Sequence, residues 1–171
     1  RAKRLCRNHL VLAAFLFYLW SNERRTDLES LLAADDFGEW MARSVKSSFS
    51  EQSESLFDVR RWLALRLPLF PLPEESYCAL RKKALEKERA WFDRLEVDGW
   101  IEWEDEDEGR SWRTLHDVFA DQVLIDFIGV GAESLPLGLL DEAESLDRVG
   151  PALRSLQRVS GHERFPARDW K

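Results

Sequence analysis

From Lys3 to Trp20 the chain has neither proline nor glycine and is apolar almost all round. That pattern predicts a fully buried helix. Its most apolar stretch, His9 to Trp20 (HLVLAAFLFYLW), is 12 residues long, against the about 20 that a membrane span needs. Ser21-Asn22-Glu23-Arg24-Arg25 after it lacks the small-residue site at which a signal peptide is cut. Asn22 or Thr26 can cap the next segment. Thr26-Asp27-Leu28-Glu29 reads as a capping box with Thr26 at the N-cap, followed by Leu28, Leu31 and Leu32 at helical spacing. Asp36 caps a third helix to about Val45, with Phe37, Trp40, Met41 and Val45 on one stripe. The Ser-rich polar stretch 46–54 reads as a linker.

A second group of elements follows. Leu56, Val59, Leu63 and Leu67 fall on one face of a helix over Ser55–Leu67, with Trp62 and Leu65 beside it. Pro68, Pro71 and Pro73 end it, since proline removes a donor and restricts the residue before it. Pro73 at the first helical position opens a helix carrying Tyr77, Leu80 and Ala84, and residues 85–98 continue or restart it. Gly99 breaks the helical pattern. Residues 100–103 and 110–114 alternate as strands, and 104–109 read as the loop between them. A Trp100–Trp112 cross-strand pair is expected here. Leu115 to Ile128 is helical, 129–138 is a break, and Leu139–Val149 and Pro151–Val159 form two short helices before a tail from Gly161. The last two suit an antiparallel pair, although no period repeats within the chain.

The fold class expected is mainly α with a small β-hairpin. It comprises a helical domain (1–50), a winged-helix domain (51–130) and a short C-terminal helical pair (131–171), the last a possible start of a repeat array. A hairpin set between helices after two or three earlier ones is the winged-helix order.

Composition narrows the function. The 171 residues are 44% apolar and 33% charged, enough to bury a core. Lys and Arg number 25 against 32 Asp and Glu, a net charge of −7, which disfavours a general nucleic-acid coat. Two cysteines make neither a disulfide scaffold nor a four-ligand zinc site, and Cys78, on an apolar helix, reads as a core thiol. Three histidines leave little for a metal centre. No GxGxxG or GxxxxGK[ST] occurs, so the chain has no phosphate loop of its own. Arg1 opens the chain and Met41 is its sole methionine, which suggests an excised piece or processed product. Of eight tryptophans, Trp62 and Trp91 read as core. Trp100, Trp103 and Trp112 fall on the hairpin, and Trp20, Trp40 and Trp170 are candidates for interdomain contacts.

Winged helices usually suggest DNA, but this one is acidic. The helix before the hairpin sets Lys87, Arg89 and Arg94 against Glu86, Glu88, Asp93, Glu96 and Asp98. The wing carries Glu102 and Glu104 through Glu108, and carboxylates repel a phosphate backbone.

Leu95-Glu96-Val97-Asp98-Gly99-Trp100-Ile101-Glu102, a wing, and then Arg113-Thr114-Leu115-His116-Asp117-Val118-Phe119-Ala120 resemble the winged-helix domain of STAND signalling ATPases. These are the P-loop ATPases related to apoptosome, plant-resistance and bacterial antiviral proteins. Leu115-His116-Asp117 matches their MHD triplet with Leu for Met. The resemblance implies that His116 donates to a phosphate of bound ADP and holds the switch closed, while Asp117 caps its own helix. Cys6-Arg7-Asn8-His9-Leu10-Val11-Leu12 occupies the place of the family's Gly-x-Pro segment, without Gly or Pro. His9 is the candidate to stack on the nucleotide there.

The reading that follows is a nucleotide-sensing, autoinhibitory region of a STAND-type ATPase, coupling a sensor to oligomerisation. Bacterial antiviral defence is the family-level setting. The chain is expected to be no enzyme by itself. ADP or ATP is bound only in the full-length protein, with the Walker motifs upstream. The expected partners are that upstream nucleotide-binding domain, a protein trigger or sensor, and further copies of the protein when active. Nucleic acid, membrane and metal are not expected, and the location is cytoplasmic. Two alternatives are a non-enzymatic winged-helix module that docks proteins through its Trp-rich acidic surface, and a DNA-binding regulator.

Overall fold

The computed structural model describes residues 10–21, 24–34, 37–49, 55–106, 109–114, 117–128 and 135–161. The chain is mainly helical with one small antiparallel sheet, in two compact units, Arg1–Ser47 and Ser48–Lys171.

The first unit contains α1 (Leu10–Ser21), α2 (Arg25–Ala33) and all but the end of α3 (Phe37–Phe49). Phe15 meets Phe37 edge-on at 5.8 Å and Trp40 at 6.0 Å, and Phe37 stacks on Trp40 at 5.5 Å. Leu19, Leu31, Met41 and Val45 complete this core. The α1 helix is not buried all round. Phe15, Leu16 and Leu19 form its inner stripe, and Phe17 and Trp20, on another face, are 64% and 67% exposed.

The α2 helix starts one residue before the predicted cap. Arg24 holds the N-cap position without a side-chain cap, and its Nε donates to Asp27 Oδ2 at 2.7 Å. Thr26 is therefore inside the helix. The predicted Asp36 cap lies outside the described residues. The α3 helix outruns its predicted end by four residues. The expected linker begins as helix because Phe49, amid serines, is buried; residues 50–54 lie outside the described residues.

The second unit opens with α4 (Leu56–Arg66), whose N-cap Ser55 accepts from the Phe57 N–H at 3.2 Å. A 3-10 turn over Leu67–Leu69, with Pro68 inside it, ends the helix. There follow β1 (Leu72–Pro73), α5 (Glu74–Lys83), α6 (Glu86–Val97), β2 (Ile101–Glu106), β3 (Gly109–Thr114) and α7 (Asp117–Ile128). Acids in the first turn of α5 and bases in its last complement the helix dipole. Pro73 is the N-cap of that helix rather than its first residue. The α6 helix is a restart: the Leu85 N–H donates to Glu88 Oε2 at 2.9 Å, one half of a capping box.

Trp62 lies at the centre of the core, 5.3 Å from Trp91 and 4.7 Å from Phe92, both edge-on. Val59, Leu63, Leu72, Leu95, Phe119 and Leu124 are buried in the same unit. Cys78 is exposed, contrary to the sequence reading. The buried face of α5 is the Tyr77–Leu80 stripe, and Cys78 is about 100° round the helix from Tyr77.

The sheet order is β1-β3-β2, all antiparallel. The two-residue β1 carried no sequence signal, being an edge strand that follows Pro71 and itself contains Pro73. Strand pairing runs through Glu106 and Gly109, so most of the predicted acidic loop is ladder. Arg113 Nη1 pairs with Glu104 at 2.7 Å and Arg110 Nε with Asp105 at 3.2 Å, which offsets repulsion along β2.

Two further helices, α8 (Leu135–Ser145) and α9 (Val149–Ser160), pack against α4 and α7 within this unit. The α8 helix starts four residues before the predicted Leu139 and ends at Ser145 rather than at Val149. Asp147, in the left-handed region at φ 56°, turns the chain into α9. Arg66 of α4 reaches Glu142 of α8 at 2.7 Å.

Candidate functional site

The hairpin and the start of α7 carry the residues singled out from sequence. At the hairpin's entry, Gly99 takes φ 65°. Its N–H bonds Glu96 O at 3.1 Å, and the Trp100 N–H bonds Leu95 O at 2.8 Å. This is a Schellman end for α6, which needs a left-handed residue where Gly99 stands. It swings Trp100 inward, 5.4 Å from Phe119 and 6.4 Å from Phe49.

The expected Trp100–Trp112 pair is not formed. Trp112 lies opposite Trp103, and Ile101 opposite Thr114. Strand pairing continues closer to the tip than predicted, so the register places Trp103, not Trp100, opposite Trp112. Trp112 stacks on Tyr77 at 4.5 Å. Tyr77 Oη donates to Glu96 Oε1 at 2.5 Å, and Arg81 bonds both Glu96 and Asp93. Burial first, and Glu96 second, push the Tyr77 phenol well above its ordinary range. For Arg81, burial opposes the charged form, but bonding to Tyr77 and Asp93 and the charge of Glu96 outweigh it, so its guanidinium sits above its usual value. Part of the acidity counted along α6 is therefore consumed in tying α6 to α5.

Among the predicted switch residues, Asp117 is described; Leu115, His116 and His9 lie outside the described residues. Asp117 is the first residue of α7 and is exposed. Its Oδ2 lies 3.6 Å from Arg158 Nη1 of α9. Arg158 is bound more tightly one turn on: Nε donates to Asp121 Oδ2 at 2.7 Å and Nη2 to Asp121 Oδ1 at 2.9 Å. Nη2 also donates to Ser155 Oγ at 3.0 Å. The bonds to Asp121 raise the Arg158 pKa against the opposing effect of burial. Sequence reading missed this contact because its partners are 37 residues apart, on helices whose relative placement no local pattern encodes.

A hollow of about 590 Å³ lies between the start of α5, the end of α6 and the hairpin. Trp103, Trp112 and Ile101 supply its apolar wall; Glu74, Glu96 and Glu102 its acidic one. Arg110 Cζ stands 4.9 Å above the Trp103 ring. Among the described residues, no group of three or more His, Cys, Asp and Glu side chains is placed to hold a metal ion, and no helix is long and apolar enough to cross a membrane. Comparison with protein-family models, with curated proteins and with solved structures finds no match.

Proposed function

We propose that this chain is a nucleotide-sensing regulatory region of a STAND-type signalling ATPase, its second unit a winged helix. One observation carries the reading. A helix–strand–helix–helix–hairpin order, with the hairpin's second strand between the other two, precedes α7, which opens on Asp117, the last residue of the Leu115-His116-Asp117 triplet in the sequence. In this reading His116 donates to a phosphate of ADP held mainly by an upstream domain, and the chain performs no hydrolysis of its own.

The described residues around the triplet suit an anion. The first turn of α7 is a helix N-terminus, which favours negative charge. The Asp117 carboxylate would oppose a phosphate; Arg158, 3.6 Å away, offsets that charge only in part, because its one positive charge is shared with Asp121. The helical pair α8–α9 is fixed to α7 by the Arg158–Asp121 bonds. Movement imposed on that pair by a sensor would therefore be felt at the triplet, releasing the nucleotide and allowing oligomerisation in the cytoplasm.

The test is His116→Ala in the intact protein with its upstream phosphate loop. Loss of one charge-assisted hydrogen bond speeds ADP release about tenfold or more and raises basal signalling. Unchanged nucleotide exchange together with unchanged signalling overturns the reading.

A further inference from the structure

The hollow beside the hairpin combines features that a solvated acidic face does not need. Trp103 is 52% exposed on a strand whose neighbour Ile101 is buried. Its ring is directly opposite Trp112, so the two indoles share one face of the sheet. Trp112 is itself backed by the stacked Tyr77 ring, which is held by Glu96. One indole is thus firmly supported while the other is open to solvent. Glu74 and Glu96, from the start of α5 and the end of α6, line the remaining sides.

The fold already shows which chemistry the open ring accepts. The Arg110 guanidinium stands over Trp103 at 4.9 Å and, among the described residues, is tethered by a contact of 3.2 Å to Asp105, which is itself exposed. A guanidinium suits such a place because it is planar, stacks on indole and is weakly hydrated; an ammonium is compact and strongly hydrated. The surrounding charge has the matching sign. Residues 92–114, the hairpin's own arginines included, contain nine acids and three bases, a net of −6.

We propose that this hollow is a docking site for an arginine side chain carried on a basic segment of a partner protein. The incoming guanidinium takes the Trp103 face in place of Arg110, beside Trp112, with the Glu74 carboxylate among the hollow's lining to meet its charge. Acids further along β2 then attract neighbouring bases of the same segment and speed encounter. The proposal is independent of nucleotide sensing: it concerns the outer surface of the hairpin and needs neither His116 nor ADP.

The probe is a fluorescein-labelled peptide of about a dozen alternating Arg and Ser residues, titrated by anisotropy against the 171-residue chain at low salt. The peptide is expected to bind, and its Lys–Ser counterpart to bind more weakly. Trp103→Ala weakens the Arg peptide roughly two- to thirtyfold, the range for an aromatic–cation contact between exposed and desolvated limits. Trp20→Ala, also at an exposed indole, leaves binding unchanged. Arg110→Ala leaves binding equal or tighter, because it removes the internal competitor while subtracting a positive charge. Circular dichroism and urea midpoints of the variants show that the fold is retained. Absence of binding overturns the proposal. So does binding that follows charge alone, equal for Arg and Lys peptides and indifferent to Trp103→Ala.

Discussion

Arg158 of α9 grips Asp121 of α7 through two parallel hydrogen bonds, Nε to Oδ2 at 2.7 Å and Nη2 to Oδ1 at 2.9 Å. The Asp121 side chain is 15% exposed and that of Arg158 37%. A forked guanidinium–carboxylate pair in such partial shelter is worth more than an open surface pair, although solvent still screens it. A double-mutant cycle with Arg158→Ala and Asp121→Ala, read by urea unfolding, should give a coupling of about 1 kcal/mol. Arg158→Lys should recover only part of it, since an ammonium cannot fork. A coupling indistinguishable from zero contradicts a role for this pair in fixing the helical pair to α7.

Phe92 is fully buried, 4.7 Å from Trp62 and 5.5 Å from Tyr77. Phe92→Ala should cost about 3–5 kcal/mol through lost burial and the cavity left behind. That is a large share of the about 5–15 kcal/mol available to a domain. The measurement is the denaturant midpoint of the second unit; a shift under about 1 kcal/mol would falsify the placement of this ring at the core's centre.

Gly99 holds φ 65° at the end of α6. Alanine there meets the left-handed penalty, so Gly99→Ala should destabilise by about 1–2 kcal/mol while leaving helix content unchanged. Thermal unfolding followed by circular dichroism measures both. A neutral result means that α6 does not end in a Schellman turn.

Tyr77 supplies a pH dependence. Its folded pKa lies above the unfolded value of about 10, so the folded state keeps a proton that the unfolded chain loses. The stability linked to this group is fully present below about pH 10 and declines as pH rises above it. The decline approaches about 1.4 kcal/mol per pH unit for one proton. Tyr77→Phe should unfold more easily at neutral pH, yet lose less stability between about pH 10 and 11 than the parent. Parallel loss in both chains contradicts the assignment.

Cys78 is exposed on α5. A thiol reagent should modify it in the native chain without denaturant, and Cys78→Ser should remove that reaction with little change in stability. Protection of Cys78 until the chain unfolds would restore the sequence-based placement in the core.

Much of the fold was legible because helical periodicity is a local property. Val59 and Leu63 announced the inner face of α4, and Trp62 and Trp91 announced the core. The hairpin was legible in position but not in register. Register depends on cross-strand partners, and Arg110 and Arg113 extend the pairing into what read as an acidic loop. Element ends moved where one buried ring or one ion pair decided them, as with Phe49 and with Arg24–Asp27. Asp117 was visible from its motif, whereas its neighbour Arg158 was not.

The sequence by itself determined a mainly helical chain with a small sheet, the break at Gly99, and an acidity concentrated at α6 and the hairpin. These follow from spacing, backbone freedom and composition, which are properties of neighbouring residues. Tertiary structure alone decided that β1 joins the sheet, that Trp103 rather than Trp100 faces Trp112, and that Arg158 reaches Asp121. It also decided how that acidity is used. Glu96 and Asp93 are bonded to Arg81, while Glu74 lines a hollow with two indoles. A carboxylate's role depends on what is packed beside it, and that is set by contacts between residues far apart in the chain.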